Sequence, residues 1–289
     1  MESLHLQVRK LTDKDLPAFS KMDTGIEDDY VLRIFDRLIA SQDHTLFGLF
    51  NRNQLVSVGG YSLFANGRFA MIGRMRTDRR FYGKGCSTQL LLFVVEELHT
   101  RNEILWMGAN THKHNKPARR VLEKIGLLPG PLHYYTVLRH PQLLAGSTKG
   151  KIWGEVTEIK EKRTLLLQLE ENTLGFFPYE CYYPFPYHKQ LFTDKHLSES
   201  SVYTSPDGKR FVIIRNDRKG EEYSHVKYFW NDHYLQPGLF ETILHHWRKH
   251  PSHTGCWIDF SPEGYHNIPD LTPFEIQKPW ILYGKWMQS

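Results

Sequence analysis

Between Phe69 and Leu127 the sequence reads strand, glycine turn, helix, strand, helix, and this order narrows the fold more than any other stretch. A strand (Phe69–Thr77) runs into Tyr82-Gly83-Lys84-Gly85-Cys86-Ser87, which opens directly onto an apolar-striped helix (Thr88–Leu98). A second strand (Ile104–Ala109) and a second helix (Asn115–Ile125) follow. Glycine reaches left-handed backbone angles at no steric cost. The first turn of a helix carries N–H groups without intrahelical partners and the positive end of the helix dipole. The spacing therefore predicts a cradle for a pyrophosphate at residues 83–88.

The surrounding elements place that cradle in a mixed α/β domain with a largely antiparallel sheet. Leu6–Arg9 reads as a short strand, Asp13–Met22 as a helix capped by Thr12, and Tyr30–Ile39 as a helix with Val31, Ile34, Phe35, Leu38 and Ile39 on one face. Thr45–Phe50 and Leu55–Phe64 are expected strands, and Asn66-Gly67 between two apolar runs predicts a hairpin joining Leu55–Phe64 to Phe69–Thr77. Leu90, Leu91, Val94, Val95 and Leu98 give the helix after the turn a core face, and Asn115 and Gly126 cap the next one. Leu132–Leu138 resumes as a strand.

At 289 residues the chain has room for two domains. Pro141, Gly146, Ser147 and Gly150 mark a boundary, giving a first domain at 1–140, a linker at 141–150 and a C-terminal α/β domain at 151–289. In the latter, Ile152–Ile159, Ser201–Thr204, Arg210–Arg215, His225–Trp230, Cys256–Phe260 and Trp280–Trp286 read as strands, and Pro237–Lys249 as a helix. The order repeats that of the first domain, with Leu235-Gln236-Pro237-Gly238 where the glycine turn stood. The segment Gly175–Tyr187 carries seven aromatic residues among Pro178, Pro184 and Pro186, which suits a packed loop or the wall of a substrate pocket.

No apolar run reaches the length of a membrane helix, and Met1-Glu2-Ser3-Leu4-His5 has no leader pattern. Cys86, Cys181 and Cys256 lie too far apart in sequence for a disulfide framework or a zinc spacing, so a reducing cytoplasm and no metal are expected. The net charge of +5 partly clusters at Arg74, Arg76, Arg79, Arg80, Lys84, Lys113, Lys116, Arg119, Arg120 and Lys124. That cluster reads as solvated surface or as a rim attracting a polyphosphate; without a recognition motif it argues weakly for nucleic acid.

The turn and its surroundings resemble the GNAT family of acetyl-CoA-dependent N-acyltransferases, whose signature Gln/Arg-x-x-Gly-x-Gly/Ala maps onto Tyr82–Ser87. The family's Asn-x-x-Ala maps onto Asn115 and Ala118, and the likeness covers about the first 140 residues in element order. The two-domain layout also resembles that of histidine N-acetyltransferase-like proteins. A dinucleotide-binding fold fits less well: the strand before the turn belongs to a hairpin, and Ile104–Ala109 ends in Asn110 with no carboxylate.

The resemblance implies acetyl-CoA as co-substrate and direct transfer of its acetyl group to a primary amine of a small molecule or amino acid. It implies pantetheine contacts at Met75, Arg76 and Thr77, and pyrophosphate contacts at Tyr82, Gly83, Lys84, Gly85, Cys86, Ser87 and Thr88, with Asn115 nearby. The second domain reads by the same resemblance as a degenerate copy that holds no cofactor. Family members often carry a tyrosine acid where this chain has Leu122, which leaves Tyr134 or Tyr135 as candidate acid and His112, beside His114, as candidate base. Cys86 at a helix N-terminus is expected to have a lowered pKa. The missing tyrosine keeps open an alternative, a non-catalytic acyl-CoA-binding sensor.

Overall fold

The computed structural model describes residues 5–287; Met1–Leu4, read above as free of a leader pattern, lie outside the described residues, as do 288–289. The chain forms two compact units, one of Met1–Gly130 and Tyr283–Ser289, the other of Pro131–Leu282. The strand expected to close the first domain, Leu132–Leu138, thus lies in the second unit, and the end of the chain returns to the first. Among the described residues no helix is long and apolar enough to cross a membrane.

In the first unit β1 (Leu6–Lys10), β2 (His44–Asn51), β3 (Gln54–Phe64) and β4 (Phe69–Thr77) pair antiparallel in sequence order. The β3–β4 hairpin turns through Ala65, Asn66 and Gly67, all at positive φ. β5 (Trp106–His112) joins β4 in parallel. The C-terminal strand Trp280–Trp286 lies beside β5, where the Tyr283 carbonyl comes so close to Gly108 that a Cβ there would sit 2.2 Å from it.

The helix expected at Asp13–Met22 is a 3-10 turn (Asp13–Asp15) followed by the short α1 (Leu16–Ser20). Tyr30–Ile39 divides at Ile34 into α2 (Tyr30–Arg33) and α3 (Phe35–Ala40). Helix α4 (Cys86–His99) buries Leu90, Leu91, Val94, Val95 and Leu98, as their spacing predicts. α5 (Lys116–Lys124) is capped by Asn115, whose side chain accepts from the Ala118 N–H at 3.2 Å, and is followed by Gly126 at φ 80°.

The second unit is built on β6 (Leu128–Leu138, from Pro131 onward), β7 (Gly154–Val156), α6 (Ile159–Leu167), the hairpin β8 (Phe177–Glu180) and β9 (Tyr183–Phe185), and α7 (Asp194–Ser198). It continues through β10 (Ser200–Thr204), β11 (Phe211–Lys219), β12 (Glu221–Lys227), α8 (Leu239–Arg248), β13 (Gly255–Phe260), α9 (Pro262–His266) and β14 (Phe274–Ile276). Its sheet is antiparallel except for β12 and β13, which run parallel on either side of α8 in the chain. The strand expected at Ile152–Ile159 shrinks to β7, because the chain turns into α6 at Ile159. The aromatic segment is the β8–β9 hairpin, with Phe176, Phe177, Tyr179 and Phe185 buried; Phe177 packs on Phe192, Tyr187 and Phe229 inside this unit.

Candidate functional site

The glycine turn has the geometry that an anion cradle requires. Gly83 and Gly85 stand at φ 76° and 78°, and Gly85 is the N-cap of α4. A Cβ added at either would meet nothing within 4 Å, so the backbone faces open space. The first N–H to return to a helical carbonyl is that of Gln89, donating to Gly85 O at 3.0 Å. By helix geometry the N–H groups of Cys86, Ser87 and Thr88 project from the end of α4 toward that space.

Beside the turn, β4 and β5 separate. Their pairing runs from Phe69 opposite Trp106 to Met71 opposite Gly108 and then stops, although both strands continue. Gly73, Met75, Arg76 and Thr77 thereby keep a strand edge facing β5 with no ladder across it, and a Cβ at Gly73 would meet nothing within 4 Å. The divergence has a local cause. The β3–β4 register shifts between Val58 and Gly60, where Gly59 opposes both Arg74 and Met75, and Arg74 takes φ 57°. Such a bulge bends its strand and increases the local twist.

The side chains expected to line the cofactor prove largely committed elsewhere. The Arg76 guanidinium grips the buried Asp29 carboxylate through Nε and through Nη2 at 2.7 Å, and its Nη1 donates to the Met75 carbonyl at 3.0 Å. Burial opposes ionisation of Asp29, but Arg76 and the Val31 N–H hold its carboxyl below the ordinary value. Asp78 accepts from the Arg80 N–H and guanidinium and from the Asp23 N–H; Arg80, against the cost of burial, holds it down to about 2. Arg79 pairs with Asp23, Arg74 donates to Ser62, and Arg119 donates to Tyr283. Five members of the predicted cationic rim thus engage neighbours around the turn, whereas Lys113, Lys116, Arg120 and Lys124 are exposed, as is Lys84 above the Phe81 ring.

Thr77 Oγ1 lies 2.9 Å from Ser57 Oγ and 2.6 Å from Ser87 Oγ, so the Ser87 hydroxyl ties α4 to the end of β4. Tyr82 is 59% exposed. Cys86 departs from its expected chemistry: its thiol is buried, and desolvation raises its pKa despite nearby Lys84. Thr88 is half-buried in the first turn of α4.

At the end of β5, His112 is half-buried and its carbonyl accepts from the Asn115 N–H at 2.9 Å, which sets up the cap of α5. Asn115 thus has a structural task of its own. Leu122, at the place of the family's tyrosine, is fully buried in the core. Tyr134 and Tyr135 belong to the second unit and, by strand alternation, to opposite faces of β6. Tyr134 is half-buried and stacks on Tyr265 with ring centroids 4.2 Å apart. Tyr135 is buried and stacks on Trp257 at 3.8 Å, where desolvation and neighbouring Tyr182 raise its pKa.

Sequence reasoning missed Asp29 and Asp78, the two buried carboxylates that organise the arginines. Asp29 shows as an N-cap signal before Tyr30, but its bond to Arg76 joins residues far apart in sequence and has no local signature.

Residues 8–127 match the Acetyltransferase (GNAT) family. No curated protein matches the chain in sequence. Over nearly its whole length the fold is similar to a GCN5-related N-acetyltransferase from Sphaerobacter thermophilus, with TM-score 0.63, 12% identity, and coverage of 98% of this chain and 96% of the other. It is also similar to a candidate acetyltransferase from Pyrococcus horikoshii, with TM-score 0.57, 10% identity, and coverage of 100% and 92%.

Proposed function

With residues 8–127 forming a domain of the GNAT acetyltransferase family, we propose that this acetyltransferase takes acetyl-CoA as its co-substrate and acetylates a primary amine of a small molecule or amino acid by direct transfer. The observation that carries the reading is the pair of left-handed glycines, open to space, at the start of α4 beside the edge that β4 leaves unpaired.

The N–H groups of Cys86, Ser87 and Thr88, with Gly83 and Gly85 permitting close approach, hold the pyrophosphate. Tyr82 and Lys84 flank it from the exposed side of the turn. The edge of Gly73–Thr77 holds the pantetheine through backbone atoms. Because the Met75 carbonyl already accepts from Arg76, the free N–H groups of that edge are the better partners. One of them polarises the acyl carbonyl, a preorganised donor of the kind worth ~3 kcal/mol. Acetyl-CoA supplies an activated acyl group whose thiolate leaves as the C–N bond forms. His112 relieves the amine of its proton, directly or through water, and Tyr134 is the better candidate to supply the thiolate's proton. Tyr135 holds its own too tightly, in a buried stack.

Calorimetry with acetyl-CoA, followed by free-thiol release across a panel of amines, tests this reading. Gly85→Asp places a carboxylate against the phosphates and should weaken acetyl-CoA binding at least ~100-fold without unfolding the protein. Undiminished binding would remove the turn from the site.

A further inference from the structure

The β8–β9 hairpin of the second unit covers a group of side chains to which nothing above assigns a role. Arg215 pairs opposite His225 and Asp217 opposite Tyr223, so strand alternation puts Asp217 and His225 on one face of the sheet. The hairpin turn, with Tyr182 at φ 69°, brings Cys181 over that face, where its N–H donates to Asp217 Oδ2 at 2.6 Å. The Cys181 sulfur, a carboxylate oxygen of Asp217 and a ring nitrogen of His225 all lie within 4.8 Å of one another. Ligands at ~2.0–2.3 Å from a tetrahedral ion stand ~3.3–3.8 Å apart, so closure onto a shared ion takes about 1.5 Å of movement at most.

The histidine points to what is missing. His225 Nε2 lies 2.7 Å from Asp259 Oδ2, while Nδ1 is buried with no hydrogen-bond partner. A buried polar atom left unpaired is costly, and a bound ion can satisfy it. A metal at Nδ1 does so, and a carboxylate on the opposite ring nitrogen is the usual support of a metal-bound imidazole. Asp217 is likewise oriented, by the N–H groups of Cys181 and Arg218.

Nearby cations do not close the site to a dication. Arg215 pairs with Glu199 at 2.7 Å, Lys219 lies nearer Glu180 at 3.0 Å than Asp217 Oδ1 at 3.7 Å, and Lys227 donates to the Tyr179 carbonyl at 2.8 Å. A thiol, an imidazole and a carboxylate in series also resemble a nucleophile relay. Cys181 and His225 are both 0% exposed, however, which shuts out an acyl substrate but not an ion taken up during folding.

We infer that Cys181, Asp217 and His225 bind one zinc-class divalent ion that fastens the β8–β9 hairpin to β11 and β12, with a water as fourth ligand and Asp259 as the residue that positions His225. Thiolate, imidazole and carboxylate together suit zinc better than magnesium or calcium. On binding, the Cys181 S–H bond gives way to a sulfur–metal bond and its proton passes to solvent.

The full chain, produced in cobalt-supplemented medium, should hold one cobalt per chain and show the near-ultraviolet thiolate-to-cobalt charge-transfer band. The chain has three cysteines, so the double variant Cys86→Ala, Cys256→Ala keeps Cys181 as its sole thiol and should keep the band. Cys181→Ser should lose it. Asp259→Asn should keep the band but weaken affinity ~10–100-fold, because it acts through His225. Cobalt content below about a tenth of an equivalent in the wild type overturns the site, as does a band that disappears from the double variant or persists in Cys181→Ser.

Discussion

Two helices in this molecule start in the same way, and only one start is open. In the first unit α4 follows a hairpin, β4 then pairs in parallel with β5 across it, and Gly85 caps the helix at φ 78°, ψ 6°. In the second unit α8 follows the β11–β12 hairpin, β12 pairs in parallel with β13, and Gly238 caps it at φ 80°, ψ 1°. The backbone device is the same. At Gly85 a Cβ would meet nothing within 4 Å, whereas at Gly238 it would lie 2.0 Å from the Lys151 carbonyl oxygen. The chain from Thr148 to Trp153 runs across that second helix end. Gly238 N–H donates to Thr148 O at 3.3 Å, Trp153 N–H to Thr242 Oγ1 at 2.9 Å, and the Trp153 indole to Pro237 O at 2.8 Å. A helix N-terminus becomes a ligand site only where the rest of the chain leaves it uncovered.

The harshest way to break this comparison is to add one methyl group to each cap. Gly238→Ala drives a Cβ into a carbonyl and should cost about 3–5 kcal/mol in denaturant titration, or prevent folding. Gly85→Ala should cost only the ~1–2 kcal/mol of a left-handed alanine. Equal costs would mean that the second helix end is not closed by contact. Calorimetry of the wild type should likewise find one acetyl-CoA per chain.

Next in size is the scaffold of the open site. Arg76→Ala leaves Asp29 buried without its cation and should lower stability by ~3–5 kcal/mol. Acetyl-CoA affinity of the folded fraction should stay within about threefold, because only the backbone of Arg76 serves the ligand. A selective loss of affinity would return the guanidinium to the site.

Whether Tyr134 or Tyr135 takes part in the reaction is a question for kinetics. Tyr134→Phe should lower kcat by ~100-fold with little change in the KM for acetyl-CoA, and Tyr135→Phe should cost stability instead. Near-wild-type turnover in both would mean that the thiolate takes its proton from water.

The smallest expected effect separates the units by their response to acid. In the second unit, burial depresses His133 and His233 to about 3 from an ordinary 6.5. Their folded forms resist the proton, so this unit loses stability as pH falls from about 6.5 toward 3. In the first unit, Arg9 holds Asp15 and Arg80 holds Asp78 down to about 2 from 3.8. The stability these pairs contribute is present above about pH 4 and lost as pH falls toward 2. Hydrogen exchange at pH 5, corrected for intrinsic rates, should show the second unit opening first; the reverse order would contradict these assignments.

What the sequence reveals here is what neighbouring residues decide between themselves. Asn66-Gly67 and the apolar runs beside it predict β4 with its observed bounds, and Asn115 and Gly126 mark the two ends of α5 as they stand. Spacing alone identifies the buried face of α4. The break at Ile34 is not legible, because apolar periodicity continues through it. The β8–β9 hairpin is hidden because Tyr182, not glycine, adopts the left-handed angle at its turn, and because prolines interrupt the alternation of its strands. Asp29 with Arg76, and Cys181 with Asp217 and His225, assemble across elements distant in the chain, where no spacing rule applies.

The return of Tyr283–Trp286 to the side of β5 gives the order of synthesis a physical meaning. Trp106 lies where Cβ atoms on Gly108 and Gly284 would collide with its ring, and Tyr283 reaches Arg119 and Glu123 on α5. The first unit therefore closes on residues made after the whole of the second unit. While a ribosome is still translating, the nascent first unit has an open flank at β5 and α5. A truncation before Tyr283 therefore acts directly on the unit that carries the cradle.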